Sequence, residues 1–221
     1  RQSSPNWQCF LVCHDPPIDL IEMPNLRVLR MTYPPPVTYS ECRFDKGKRI
    51  RHADEVLQQN PTEFAMPVDA DDRIHQDLVA YVEARSHEAN GGFRISHGYE
   101  YEGGRYALQR KGGFDKLCGS SIVHRYLNSP LDSSPLRVGH CDAEQKYASL
   151  GYALQEIPFS AAVRVTGYGE NLSDPGILAW KGWRKTIKRL LRVRIVRGRT
   201  LERFGLLSTP TPGRRPWRKW F

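Results

Sequence analysis

The chain has 221 residues, 39% hydrophobic and 10% aromatic, which suits one sizeable folded domain, alone or with an appendage, and excludes a disordered polymer. No run approaches the ~18 uninterrupted apolar residues of a membrane-spanning helix and no signal-peptide pattern opens the chain, so the expected location is cytoplasmic. The net charge of +9 is uneven: residues 181–221 hold 14 Lys/Arg against the single acid Glu202, so that segment carries +13 and residues 1–180 carry −4.

In chain order, Trp7–Cys13 is an apolar strand stopped at His14-Asp15-Pro16-Pro17, and Leu26–Tyr33 is a second strand stopped by Pro34-Pro35-Pro36. Lys48–Gln59 has helical periodicity, with Ile50, Ala53, Val56 and Leu57 on one face. A strand over 63–68 follows, and then a helix from about Ile74 to Ala89 closed by Asn90-Gly91-Gly92. Phe93–Arg110 has the pattern of a hairpin turning at Glu102-Gly103-Gly104, and Ile122–Tyr126 is extended. A helix over Ala143–Leu150, stopped by Gly151, precedes a strand-like Ala153–Val165. Alternation of strand and helix, with hairpins later, places the domain in the α/β class.

The apolar run Glu63–Val68 ends in three carboxylates, Asp69, Asp71 and Asp72. Ligands of α/β sheets gather at the carboxyl ends of strands, and residues two apart on an extended chain point the same way. Asp69 and Asp71 can therefore converge on one hard cation, Mn2+ or Mg2+, while Asp72 faces elsewhere or caps the next helix. A solvated acidic turn is the competing reading. The five cysteines are odd in number and show no zinc-site spacing, which predicts reduced, mostly buried thiols.

Several groups, in this order, resemble the bacterial family-two glycosyltransferases of the GT-A fold. They are Arg1-Gln2-Ser3 before the first strand, Asp45-Lys46-Gly47-Lys48, and Val68-Asp69-Ala70-Asp71-Asp72 as a DXD motif. Gly98-Tyr99-Glu100-Tyr101, Phe114, Cys118-Gly119-Ser120-Ser121, Gly139-His140, Gly151-Tyr152 and Gly169–Ser173 follow. The resemblance covers about residues 1–175 and implies a GT-A-like mixed sheet flanked by helices, whose first strand in the family would precede Arg1. It further implies metal-dependent transfer of a sugar from a nucleotide-sugar donor to a glycan or lipid-linked acceptor. Asp69 and Asp71 then hold the metal, with Asp69 also at the nucleotide diphosphate, and Cys118, Gly119, Ser120 and Ser121 lie on the acceptor side; Lys46 and Lys48 are point charges suited to that diphosphate, or else a solvated helix start. The family's usual acidic pair before the late helix is replaced by Gly139-His140.

Transfer to a hydroxyl calls for a base. His140 titrates near neutral pH and is one candidate, with a metal-ligand or structural role as alternatives; Asp142 and Glu144 compete, as does Glu170. Tyr99, Tyr101 and Trp7 can stack on a sugar or base, or belong to the core.

Residues 176–221 form an expected second unit, a basic amphipathic helix and flexible tail. Trp180, Trp183, Ile187, Leu190 and Leu191 recur at helical spacing among Lys and Arg. This pattern suits peripheral docking of residues 180–199 on an anionic membrane surface at the inner face, with nucleic acid the less favoured partner. Two alternatives to the transferase stand: a non-catalytic remnant binding membrane or nucleic acid through its tail, and another metal-dependent phosphotransfer enzyme.

Overall fold

The computed structural model describes residues 2–101, 106–131, 134–166, 193–195 and 198–206, which form a mixed α/β structure. Strand β1 (Cys9–Cys13) pairs in parallel with β2 (Leu26–Arg30), Cys9 opposite Leu26. Helix α1 (Tyr39–Gln59) follows, then β3 (Phe64–Ala65), β4 (Arg73–Ile74) and helix α2 (Leu78–Ala84). The later elements are β5 (Gly92–Arg94), β6 (His97–Tyr101), β7 (Tyr106–Lys111), β8 (Ile122–Arg125), α3 (Ala143–Ser149), β9 (Gln155–Glu156), β10 (Ala162–Val165) and β11 (Val193–Ile195). Besides the β1–β2 pair there are two mixed sheets, one ordered β11-β7-β6-β10-β4 and one ordered β3-β8-β5-β9.

Helix α1 begins nine residues earlier than its apolar periodicity predicts. Thr38 and Glu41 form a capping box, in which Glu41 N–H donates to Thr38 Oγ1 at 3.3 Å and Thr38 N–H donates to Glu41 Oε2 at 2.9 Å. The helix docks less through an apolar stripe than through two buried carboxylates. Asp45 accepts from Tyr33 Oη at 2.7 Å and pairs with Arg49 at 2.5 Å, tying the helix to the end of β2. Burial and this bond push the Tyr33 phenol up to about 12. Asp54, fully buried, accepts from Tyr126 Oη at 2.9 Å and Ser134 Oγ at 2.6 Å, tying the other end to the segment after β8.

The expected strand over 63–68 is reduced to β3, because Pro67 brings no N–H to a ladder. The expected helix from Ile74 also starts later: Arg73–Ile74 pair antiparallel with Val163 and Ala162, and α2 begins at Leu78. The carboxylate turn thus carries the chain from one mixed sheet to the other. Asn90-Gly91-Gly92 does not cap a long helix; a 3₁₀ turn at Ser86–Glu88 intervenes and Gly92 opens β5. Its φ of +114°, with Val123 O 2.1 Å from where a Cβ would lie, requires glycine there.

The hairpin forms as β6–β7, with His97 opposite Lys111, whereas Phe93 belongs to β5 in the other sheet. The run 153–165 splits likewise, β9 pairing with β5 and β10 with β6. Phe93, Ile95, Phe114, Ile157 and Ala162 centre the main core. A smaller core holds Val163, Val165 and Phe204, against which Tyr99 and Tyr101 pack. In the segment expected as a tail, β11 joins β7 edge to edge, helix Gly198–Arg203 follows, and Gln76 N–H donates to Arg203 O at 2.8 Å. Residues 180–192, which carry most of the expected basic helix, lie outside the described residues. No helix among the described residues is long and apolar enough to cross a membrane. The cysteines are all unpaired, but only Cys118 is buried, so the expectation of mostly buried thiols holds for it alone.

Candidate functional site

The turn Asp69–Asp72 closes with Asp72 N–H donating to Asp69 O at 3.0 Å. Its three carboxylates have separate environments. Asp69 is part-exposed and forms an ion pair with Lys46 of α1. Asp71 is exposed, yet its pKa is raised by the desolvating protein beneath it and by the Asp69 charge, against the pull of Arg164 and Lys46. Asp72 is turned inward, where it accepts from Ser120 Oγ at 2.6 Å, Cys118 Sγ at 3.1 Å and Val165 N–H at 3.3 Å. Desolvation dominates the upward shift of Asp72, and of Cys118, whose thiol stays protonated.

Beside this turn is a cavity of about 520 Å³ between α1, β8 and the segment Leu136–His140. Lys46, Lys48, Arg51 and Arg137 line it, and no Asp or Glu does. Lys48 Nζ also lies 4.6 Å from the centroid of the Tyr33 ring. Gly119 reaches the wall because it lacks a side chain: a Cβ there would lie 2.5 Å from Asp69 Oδ2 and 3.2 Å from Lys46 Nζ. Its neighbours behave otherwise than the sequence suggests. Cys118, Ser120 and Ser121 are buried, and the Ser121 hydroxyl donates to Cys118 O at 2.6 Å. Of that group, only Gly119 faces the cavity.

His140 also lines the cavity. It sits in a turn where Asp142 N–H donates to Gly139 O at 3.0 Å, and Lys116 Nζ holds the same turn by donating to Cys141 O at 2.9 Å. Burial, then the Lys46 charge, depress the His140 pKa, leaving a neutral imidazole at pH 7. Asp142 is the N-terminal flank of α3, its side chain exposed and making no capping bond. Glu144 is engaged in ion pairs with Arg94 at 2.5 Å and Lys116 at 3.8 Å. Glu170 lies outside the described residues.

Comparison with family models, with curated proteins and with solved structures found no match. The chemistry must be read from the arrangement itself. Among the described residues no three His, Cys, Asp or Glu side chains converge as a ready-made metal cage. Asp69, beside the cavity-lining Lys46 and Gly119, and Asp71 two residues on in the same turn nevertheless fit a cation of the Mg2+ type, which takes one or two protein carboxylates and completes its shell with water and substrate phosphate. The Asp71 pKa is raised first by burial and then by the Asp69 charge, and a bound cation would offset both.

Sequence reading missed Arg51, Arg137 and His124. The two arginines sit among charged or turn-rich neighbours with no periodic signal; His124 lies inside an apolar strand pattern. His124 is buried at the cavity floor, with its Nδ1 3.2 Å from Tyr147 Oη, and burial pulls its pKa down to about 4. The unfolded chain binds a proton there from about pH 6.5 downward that the native state refuses, so this stability is intact above about 6.5 and is lost as pH falls towards 4, by about 3 kcal/mol. Urea unfolding at pH 7, 5.5 and 4 should show that loss, and His124→Gln should flatten it; parallel curves for parent and variant would assign the acid sensitivity elsewhere.

Proposed function

We propose that the chain is a metal-dependent glycosyltransferase of the GT-A type, moving a sugar from a nucleoside-diphosphate donor to a hydroxyl of a glycan or lipid-linked acceptor. The observation that carries this reading is the cavity lined by four cationic side chains and no carboxylate, abutting the Asp69–Asp72 turn and containing His140. A diphosphate needs such a cavity, and the order of motifs along residues 1–175 supports the same class.

Asp69 and Asp71 would hold Mn2+ or Mg2+. A bound divalent cation supplies Lewis-acid stabilisation of the departing diphosphate. Lys46, paired with Asp69 at the rim, and Lys48 present point charges to phosphate oxygens, while Arg51 and Arg137 offer planar guanidinium donors. Neutral His140 accepts the proton of the attacking hydroxyl as the new carbon–oxygen bond forms. The bond from the sugar to the diphosphate breaks, and its electron pair leaves with the nucleoside diphosphate. The walls contributed by Ile50, Ile122, Leu136 and Val138 limit water around the reacting groups. In this reading the basic segment of residues 180–192 docks the enzyme on an anionic membrane surface, while Val193–Ile195 belongs to the sheet.

Calorimetric titration of the chain with UDP, GDP and dTDP, with and without Mn2+, tests the reading. The expected result is Mn2+-dependent binding of at least one nucleotide, weakened by about 10–100-fold or more in Asp71→Ala, since even the groups supporting metal ligands govern metal affinity to that extent. Absence of binding by the parent chain to any nucleotide would turn the reading towards the non-catalytic remnant.

A further inference from the structure

Behind the carboxylate turn lies a buried polar set, Cys118, Ser120 and Asp72, that does not line the cationic cavity. Ser120 is fully buried, and its Oγ stands between two parts of the turn. It accepts from Asp69 N–H at 2.8 Å and lies 2.6 Å from Asp72 Oδ2. A serine hydroxyl has one proton and two lone pairs, and a backbone N–H can only donate, so the Ser120 proton goes to the Asp72 carboxylate. Asp72 N–H then donates back to Asp69 O at 3.0 Å. The ring closes through residue 69 at one end and residue 72 at the other, and Asp71 is held between two anchored neighbours.

We propose that Ser120 and Asp72 form a positioning clamp that aims the Asp69 and Asp71 carboxylates at the divalent cation. The proposal rests on the glycosyltransferase reading for the identity of the cation site. Its physical basis is the two-sided use of one hydroxyl. The same oxygen fixes the backbone at Asp69 and the inward carboxylate of Asp72, so a change in either is transmitted to the other without passing through solvent. Asp72 is fixed independently by Cys118 Sγ at 3.1 Å and by Val165 N–H at 3.3 Å, at the end of β10. The clamp therefore couples the carboxylate turn to β10 of the five-stranded sheet. Gly119 completes the arrangement: any side chain there would press on the Asp69 carboxylate.

Hydrogen-bond partners behind metal ligands typically govern affinity by 10–100-fold. Ser120→Ala removes the relay while adding no bulk. Free Mn2+ measured by electron paramagnetic resonance during titration of the full chain, in the presence of the nucleotide found to bind, should show about tenfold weaker Mn2+ binding in Ser120→Ala. Ser120→Cys, which keeps a small donor and acceptor, should lie between the two. Asp72→Asn keeps the shape and one acceptor oxygen, and serves if Ser120→Ala is not folded by circular dichroism; it too should weaken Mn2+ binding. A folded Ser120→Ala or Asp72→Asn whose Mn2+ curve superimposes on that of the parent overturns the clamp. A parent chain that binds no Mn2+ with any nucleotide fails earlier and sinks the functional reading instead, so the two failures are distinct.

Discussion

Replacing His140 with glutamine is expected to lower turnover by about 10²–10⁴-fold, the span that a positioned general base contributes. The side chain lines the cavity and is a neutral imidazole at neutral pH, with one ring nitrogen free to accept a proton, because burial and the nearby Lys46 ammonium both disfavour the imidazolium. The sign of the pH dependence follows. The free base is present above the depressed pKa and is lost as pH falls through it, so the acid limb of kcat/KM should lie below the ordinary imidazole value of about 6.5. Lys46→Met removes one of the depressing charges and should move that limb upward. If the limb stays in place in His140→Gln while the rate is little changed, the base is another group, and Asp142 is the next to test.

The parts of this fold that were legible in the sequence are those whose own residues impose them. Cys9–Cys13 and Leu26–Arg30 are apolar segments bounded by prolines, and α3 ends before Gly151, which adopts φ +79°. The elements that were misread take their form from distant partners. Arg73–Ile74 is a strand because Ala162–Val163 lies beside it, and the first half of α1 is helical because its capping box starts it and Asp45 docks it. A search for apolar faces overlooks a helix anchored by carboxylates.

The candidate site divides in the same way. Lys46, Asp69, Gly119 and His140 come from four separate stretches, and motif order was enough to bring them to notice before their proximity was known. The resemblance implies an acceptor-side role for Ser120, yet the chain bends at Gly119-Ser120 and buries the Ser120 hydroxyl against Asp72. Asp72 likewise belongs to the support of the site. Arg51 and Arg137 carried no motif, and their contribution is visible only once α1 and the Leu136–His140 segment face each other. In a cavity without carboxylates, three cations of α1 and Arg137 from the facing segment collectively select an anion.

Asp54→Ala is expected to cost about 1–3 kcal/mol of stability, the penalty for leaving polar groups without their hydrogen-bond partner. The carboxylate is fully buried and receives Tyr126 Oη, Ser134 Oγ and, at 3.5 Å, the Arg137 guanidinium. Alanine would leave two hydroxyls in protein interior without their acceptor. Arg137 behaves differently, because its side chain is 49% exposed and can turn to water, so Arg137→Ala should cost about 0–1 kcal/mol. This asymmetry has a consequence for ligand binding. The segment beginning at Ser134 carries Leu136, Arg137, Gly139 and His140 along the cavity wall, and Asp54 is its link to α1, which supplies the opposite wall. Urea unfolding should therefore show a large loss for Asp54→Ala and a smaller one for Asp54→Asn, which retains an acceptor oxygen. Nucleotide affinity should fall in Asp54→Ala even at denaturant-free, fully folded conditions, because the two cationic walls are no longer held at a fixed separation. If Asp54→Ala and Arg137→Ala destabilise equally, the walls are joined by the exposed guanidinium alone and the buried carboxylate is not the anchor.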